Sequence, residues 1–351
     1  MEQVAIILQE MVRQAASDLF ITVGIPPVFK VDGILLQQPQ YGWFSQAETE
    51  AFAHQLFVND GDYQEFLSAG EKDFSLSLSD IGRFRINVFR QRGSCAVSVR
   101  RIYSELPVAD ALGIPKSVMD LAKRQKGLVL VTGPTGCGKT TTLAALINRI
   151  NQERSCHILT LEDPIEYLHR HASSIVNQRE IGTDSKSYER ALRAALRQSP
   201  DVIQIGEMRD LETIAIALTA AETGHLIFST LHTVGAAKTI DRIIDVFPPN
   251  QQQQIRIQLS TVLQAVVSQQ LLPGSDGGLH PAFEIMLVNS AIRNMIREGK
   301  TPQIDGVIQM NIGQGMITMD MSLAALLRQR KISREDALFY SVNPEALQRY
   351  L

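Results

Sequence analysis

Eight consecutive residues, Gly133-Pro134-Thr135-Gly136-Cys137-Gly138-Lys139-Thr140, carry the clearest chemistry in this sequence. The glycines let successive backbone N–H groups curl around phosphate oxygens, Lys139 can reach the β- and γ-phosphates, and the Thr140 hydroxyl can ligand Mg²⁺. An apolar run at 128–131 precedes the loop and a helix-forming stretch at 141–150, opening with Thr141, follows it, so bound phosphate would face a helix N-terminus. This setting predicts binding of a nucleoside triphosphate. A tight structural turn is the competing reading, and both the flanking strand and the Gly-Lys-Thr order weigh against it. Cys137 sits where the backbone does the binding, which makes its thiol incidental.

Hydrolysis needs an activating group as well. The strand-like run Val202-Ile203-Gln204-Ile205 leads into Gly206-Glu207 and so delivers Glu207 to the carboxyl edge of a sheet, where open α/β folds bind ligands. There Glu207 can orient or deprotonate water and help hold Mg²⁺ through water; a solvated acid or a salt bridge to Arg209 is the alternative. A second run, Ile158-Leu159-Thr160-Leu161, ends in Glu162, Asp163 and Glu166. Carboxylates so close repel one another unless a cation or arginine is near, which suits Glu162 to Mg²⁺-bound water or to an arginine from another subunit. An acidic turn around Pro164 competes with that reading. The stretch 223–233 has His225 and His232 at the two ends of a strand, without the further ligands a metal would need. Phosphate sensing or a subunit contact fits them better, although such histidines are often without function. Arg83, Arg85, Arg90, Arg92, Arg100 and Arg101 cluster further upstream. Alternation sets Arg83 and Arg85 opposite Phe84 and Ile86, on a face that either meets phosphate across an interdomain cleft or is simply solvated.

The elements that must position these residues fall into two parts, as a length of 351 allows. In residues 1–104, helical spacing of Val4, Ile7, Leu8, Met11 and Val12, short strands around Pro26-Pro27 and Asp32-Gly33, a helix opened by Ser45-x-x-Glu48, and alternating runs from Phe74 to Val99 predict a small α+β domain with an antiparallel meander. Pro and Gly break both periodicities over 105–114, which reads as the linker. From 115 to 351 apolar strands alternate with helices up to Pro249, predicting a mostly parallel sheet covered on both faces, followed by a largely helical C-terminal part.

Composition is that of an ordinary globular protein, 44% hydrophobic and 20% charged, and a net charge of −3 gives no general reason to expect direct nucleic-acid binding. Neither a signal peptide nor a membrane-spanning stretch is evident, pointing to the cytoplasm. Three cysteines without Cys-x-x-Cys spacing build neither a disulfide framework nor a zinc site.

Taken together and in this order, the motifs resemble those of the secretion-type hexameric ATPases, and within them the PilT-like pilus retraction ATPases of twitching motility. The resemblance covers nearly the whole chain. It implies a PAS-like N-terminal domain, a RecA-like ATPase domain, ATP with Mg²⁺ as ligands, and a homo-hexameric ring at the cytoplasmic face of the inner membrane. Membrane association would come only through a platform protein of the pilus machine. Residues 133–140 match the family's Walker A with Thr141 beside it, Glu162 lies in its Asp box, Glu207 is its catalytic carboxylate, and His225 and His232 form its His box. Arg85 and Arg100 match the arginines that the N-terminal domain contributes. Ala291-Ile292-Arg293-Asn294-Met295-Ile296-Arg297-Glu298 resembles the retraction-specific segment; its apolar strip of Ile292, Met295 and Ile296 suits docking on a neighbouring element or a partner, leaving Arg293 and Asn294 as exposed polar surface. Phe20 stands where relatives often have histidine. The expected function is a motor powering pilus retraction, the alternatives being an accessory PilU-like motor or a nucleotide-gated ring without turnover.

Overall fold

The computed structural model describes residues 2–31, 33–102, 106 and 108–350; Asp32 of the expected Asp32-Gly33 turn, Tyr103 and Ser104 of the expected first domain, and Glu105 and Pro107 of the expected linker lie outside them. Contacts divide the chain into two compact units, Met1–Glu105 with Pro164–Leu168, and Leu106–Asp163 with His169–Leu351.

The first unit runs α1 (Glu2–Arg13), β1 (Asp18–Ile21), β2 (Val28–Val31), β3 (Ile34–Gln37), α2 (Gln46–Leu56), α3 (Asp60–Ala69), β4 (Glu71–Leu78), β5 (Gly82–Gln91) and β6 (Ser94–Ile102). Its six strands pair antiparallel in the order β3-β2-β1-β6-β5-β4. Helix α2 starts at a complete capping box, Ser45 with Glu48, as the sequence signals. Helix α3 went unforeseen, although Asn59 caps its start and Gly70 ends it in the left-handed conformation. Alternation buries Phe84, Ile86 and Val88 against Ile7, Leu8, Phe52 and Leu56, so Arg85 faces outward. Pairing then sets Arg85 opposite Arg100 and Arg100 opposite Asp18.

The second unit contains α4 (Lys116–Met119), β7 (Gly127–Thr132), α5 (Lys139–Glu153), β8 (His157–Glu162), β9 (Ile175–Glu180), α6 (Tyr188–Ala195), β10 (Val202–Ile205), α7 (Leu211–Glu222), β11 (Leu226–Leu231), α8 (Ala236–Asp245), α9 (Pro249–Val262), β12 (Leu263–Pro273), β13 (Leu279–Leu287), α10 (Ser290–Glu298), α11 (Ile304–Met310), α12 (Met319–Arg328), α13 (Arg334–Phe339) and α14 (Pro344–Tyr350). Its seven-stranded sheet has the order β13-β12-β7-β11-β10-β8-β9, and only the β12–β13 pair is antiparallel. Strand β7 explains why its sequence is apolar without alternation: Leu128 and Leu130 enter the core on one face while Val129 and Val131 enter the core on the other. Ala109, Leu112 and Ile114, in the expected linker, pack on that second core.

The stretch after Pro249 departs from expectation, since α9 is followed by the β12–β13 hairpin before the helices resume. Leu263 to Leu272 is rich in Leu and Gln, good helix formers, so local preference does not announce a strand. Pairing with β7 on one side and β13 on the other decides it.

Helix α10 also corrects an expectation. Ile292 and Ile296 are buried in the unit's own core with Met295 packed against it, so the apolar strip docks on neighbouring helices of this chain. Arg293 is not free surface either: its Nη1 donates to the carbonyls of Ser260 and Thr261, each at 2.8 Å, in the last turn of α9. Those carbonyls would otherwise lack intrahelical partners. Asn294 instead bonds Glu298 on its own helix at 2.9 Å. Arg293→Ala is therefore expected to lower unfolding stability by about 1–3 kcal/mol, and Asn294→Ala by less than about 0.5 kcal/mol. Denaturant midpoints of the two variants check this; equal midpoints would contradict it.

Candidate active site

Strands β7, β11, β10 and β8 are neighbours and all parallel, so whatever follows each of them emerges at one edge of the sheet. The phosphate loop follows β7, His232 follows β11, Gly206-Glu207 follows β10, and Glu162 ends β8. Topology thus gathers residues spread over a hundred positions of sequence.

The loop is anchored where it leaves the sheet by the Gly133 amide, which donates to Leu231 O at 3.3 Å. It ends at Gly138, whose φ of +87° lets it cap α5 without a side chain. Lys139 is buried, its ammonium folded over the loop and donating to Gly133 O at 2.9 Å and Pro134 O at 2.8 Å. Thr140 comes next, in the first turn of α5. Burial pushes the Cys137 thiol up, so it is neutral and takes no part as a nucleophile.

His232 joins the loop to the carboxylate. Its Nδ1 lies 3.5 Å from Thr135 Oγ1 and its Nε2 3.3 Å from Glu207 Oε2. The other Glu207 oxygen pairs with Arg209 Nε at 2.6 Å, so the salt bridge and the position at the loop coexist. The peptide before Glu207 is pinned from both sides: Gly206 N donates to Leu161 O at 2.7 Å, and the Thr230 hydroxyl donates to Gly206 O at 2.6 Å. Glu162 is buried and accepts from the Thr160 hydroxyl at 2.6 Å and Gln178 Nε2 at 3.1 Å. Burial above all, with the charges of Asp163, Glu207 and Glu162 added, holds the Tyr188 phenol far above its usual pKa. Thr230 and Tyr188 were missed as parts of the site because a lone hydroxyl in an apolar strand or at a helix start carries no spacing signal.

Two clefts lie beside these residues. One of about 430 Å³ is lined by Glu207, Arg209, Thr230, His232, Thr233 and Arg242. The other, about 490 Å³, lies beside the start of α5 and is lined by Leu112, Ile114, Gly138, Thr141, Leu271 and Pro281. No group of three or more His, Cys, Asp or Glu side chains among the described residues could form a metal cage. Mg²⁺ asks for none when phosphate oxygens and water complete its shell.

The structure does not bring every expected residue together. His225 stands before β11, where its carbonyl accepts from Gly127 at the start of β7 and its Nδ1 lies 2.9 Å from Ala220 O. Six residues of strand separate it from His232, roughly 20 Å, so within this chain His225 is not part of the phosphate site. Arg85 and Arg100 belong to the first unit, where Arg100 Nε donates to Asp18 Oδ1 at 2.8 Å and Arg85 Nε lies 3.9 Å from Asp73 Oδ1.

The profile of the type II/IV secretion system protein family matches residues 1–277. The type IV pilus retractation ATPase PilT of Pseudomonas aeruginosa is 45% identical over 95% of this chain and 96% of its own length. The type IV pilus ATPase PilU of the same organism is 39% identical over 95% of this chain and 87% of its own. The crystal structure of the pilus retraction motor PilT with bound ADP superposes with a TM-score of 0.93, at 48% identity and over 98% of both chains.

Proposed function

The chain belongs to the type II/IV secretion system protein family, and from that premise we propose that it is an ATP-hydrolysing hexameric motor that powers type IV pilus retraction. The reading draws on its likeness to PilT and is carried by one observation: a single imidazole, His232, lies between Thr135 of the phosphate loop and Glu207. Nucleotide phosphate lies against the loop amides and the N-terminus of α5, with Lys139 exchanging its two carbonyl acceptors for phosphate oxygens. Glu207 accepts the proton of the attacking water, while Arg209 and His232 each engage one of its oxygens and fix its direction. The products are ADP and inorganic phosphate. Bound with ATP, Mg²⁺ supplies neutralising charge on the β- and γ-oxygens; Thr140 would hold it directly, and Glu207 and Glu162 through water. Arg85 and Arg100 would stabilise the transferred phosphoryl group from the PAS-like domain, consistent with the outward face they share on β5 and β6.

No helix among the described residues is long and apolar enough to cross a membrane. We place the ring at the cytoplasmic face of the inner membrane, held by a platform protein of the pilus machine. Greater identity to PilT than to PilU favours the main motor over an accessory one, and Glu207 beside the loop speaks against a ring without turnover. Deleting the gene should leave cells piliated and unable to retract. Continued retraction would assign the chain to an accessory role, and a purified ring that releases no phosphate from ATP would remove it from the enzymes.

A further inference from the structure

Strand β12 runs parallel to β7 with Ser268 paired to Thr132, which brings the next residue, Gln269, level with the point where the phosphate loop leaves the sheet. Gln269 is 4% exposed. A Cβ at Gly133 would lie 2.1 Å from its carbonyl oxygen, and a Cβ at Gly138 would lie 2.9 Å from its side-chain Nε2. One residue therefore lies flush against both the first and the last glycine of the loop. Its Oε1 also accepts from the Thr142 hydroxyl at 2.8 Å, across the second cleft's floor, and Thr142 is 1% exposed. With its oxygen held by Thr142, the buried amide presents its Nε2 on the Gly138 side.

We propose that Gln269 is a positioning residue for the phosphate loop, setting the span from Gly133 to Gly138 over which the backbone N–H groups converge on phosphate. The idea rests on the ATPase reading above. Convergent donors lose their effect when displaced by even an ångström, and neither glycine has a side chain with which to hold itself in place. Gln269 does this from a strand that continues through Leu271 and returns through Pro281, both in the wall of the 490 Å³ cleft. The hairpin that walls the cleft is thereby the same element that shapes the loop.

The test uses the full-length ring, with Mg²⁺ and inorganic tripolyphosphate as a probe that has phosphates and no nucleoside. Gln269→Leu and, independently, Thr142→Val remove the hydrogen bond from either side, while Thr142→Ser retains it. Gln269→Leu and Thr142→Val are each expected to weaken ATP and tripolyphosphate by the same factor, roughly 10- to 100-fold, and the pair together by little more than either alone. Thr142→Ser should bind both as the parent does. ATP weakened with tripolyphosphate unchanged would overturn the proposal, since Gln269 would then read the nucleoside. A fall in melting temperature with both affinities kept would also overturn it, reducing the residue to packing. Because the readout is affinity and not rate, a parent ring that binds both ligands but hydrolyses nothing would count against the ATPase reading and leave this test intact. If Gln269→Leu does not fold, Thr142→Val decides alone.

Discussion

Purified Lys139→Ala protein is expected to bind ATP at least about a hundredfold more weakly than the parent, and to release no phosphate at nucleotide concentrations that saturate it. The ammonium is the only full positive charge on the loop, and truncating one partner of a desolvated charge pair costs roughly 2–5 kcal/mol. The backbone amides remain, but partial charges do not replace a whole one at the γ-phosphate. Lys139 also holds Gly133 O and Pro134 O, so its loss frees the two carbonyls that border the site. Calorimetric titration with ATP, together with phosphate release, measures both effects. Turnover at the parent rate would show that the loop is not where the nucleotide is hydrolysed.

Glu207→Gln should behave differently, keeping ATP affinity within a few-fold while slowing hydrolysis by about 10²–10⁴. The amide preserves shape and can still accept from one neighbour, but it cannot take a proton from water. The variant also loses the ionic part of the 2.6 Å contact with Arg209; that arginine is mostly exposed, so the loss is small. Single-turnover measurements separate the chemical step from binding. Equal losses of affinity and rate would make Glu207 a structural residue.

What the sequence disclosed, and what it withheld, follows from how far each signal travels along the chain. The phosphate loop is local: strand, glycines, lysine and helix lie within about thirty residues and follow one another directly in the structure. Glu207 and Glu162 were legible as strand ends, because parallel strands must deliver their carboxyl ends to one side. The same rule separates the two histidines read at the ends of one strand: His232 stands at the carboxyl end of β11 with Glu207, and His225 at the opposite end. The β12–β13 hairpin was hidden because Leu and Gln report helix preference while pairing with β7 decides the outcome. Arg293 read as surface because a polar residue beside an apolar strip normally is; its reach to the carbonyls ending α9 depends on a neighbour set by tertiary packing.

The placement of β7 between β11 and β12 bears on how the chain matures during synthesis. The octapeptide is made early, yet the strand that carries it waits for partners about a hundred and about a hundred and forty residues further on. A nascent chain that stops short of Leu263 has every residue of the phosphate loop and one side of β7 still open, an unpaired apolar strand of the kind that seeks other chains. Closure of so distant a pairing is slow. The antiparallel first unit, whose strands all lie within residues 18–102, can be complete by then, so the emerging polypeptide carries one finished body ahead of an unfinished one.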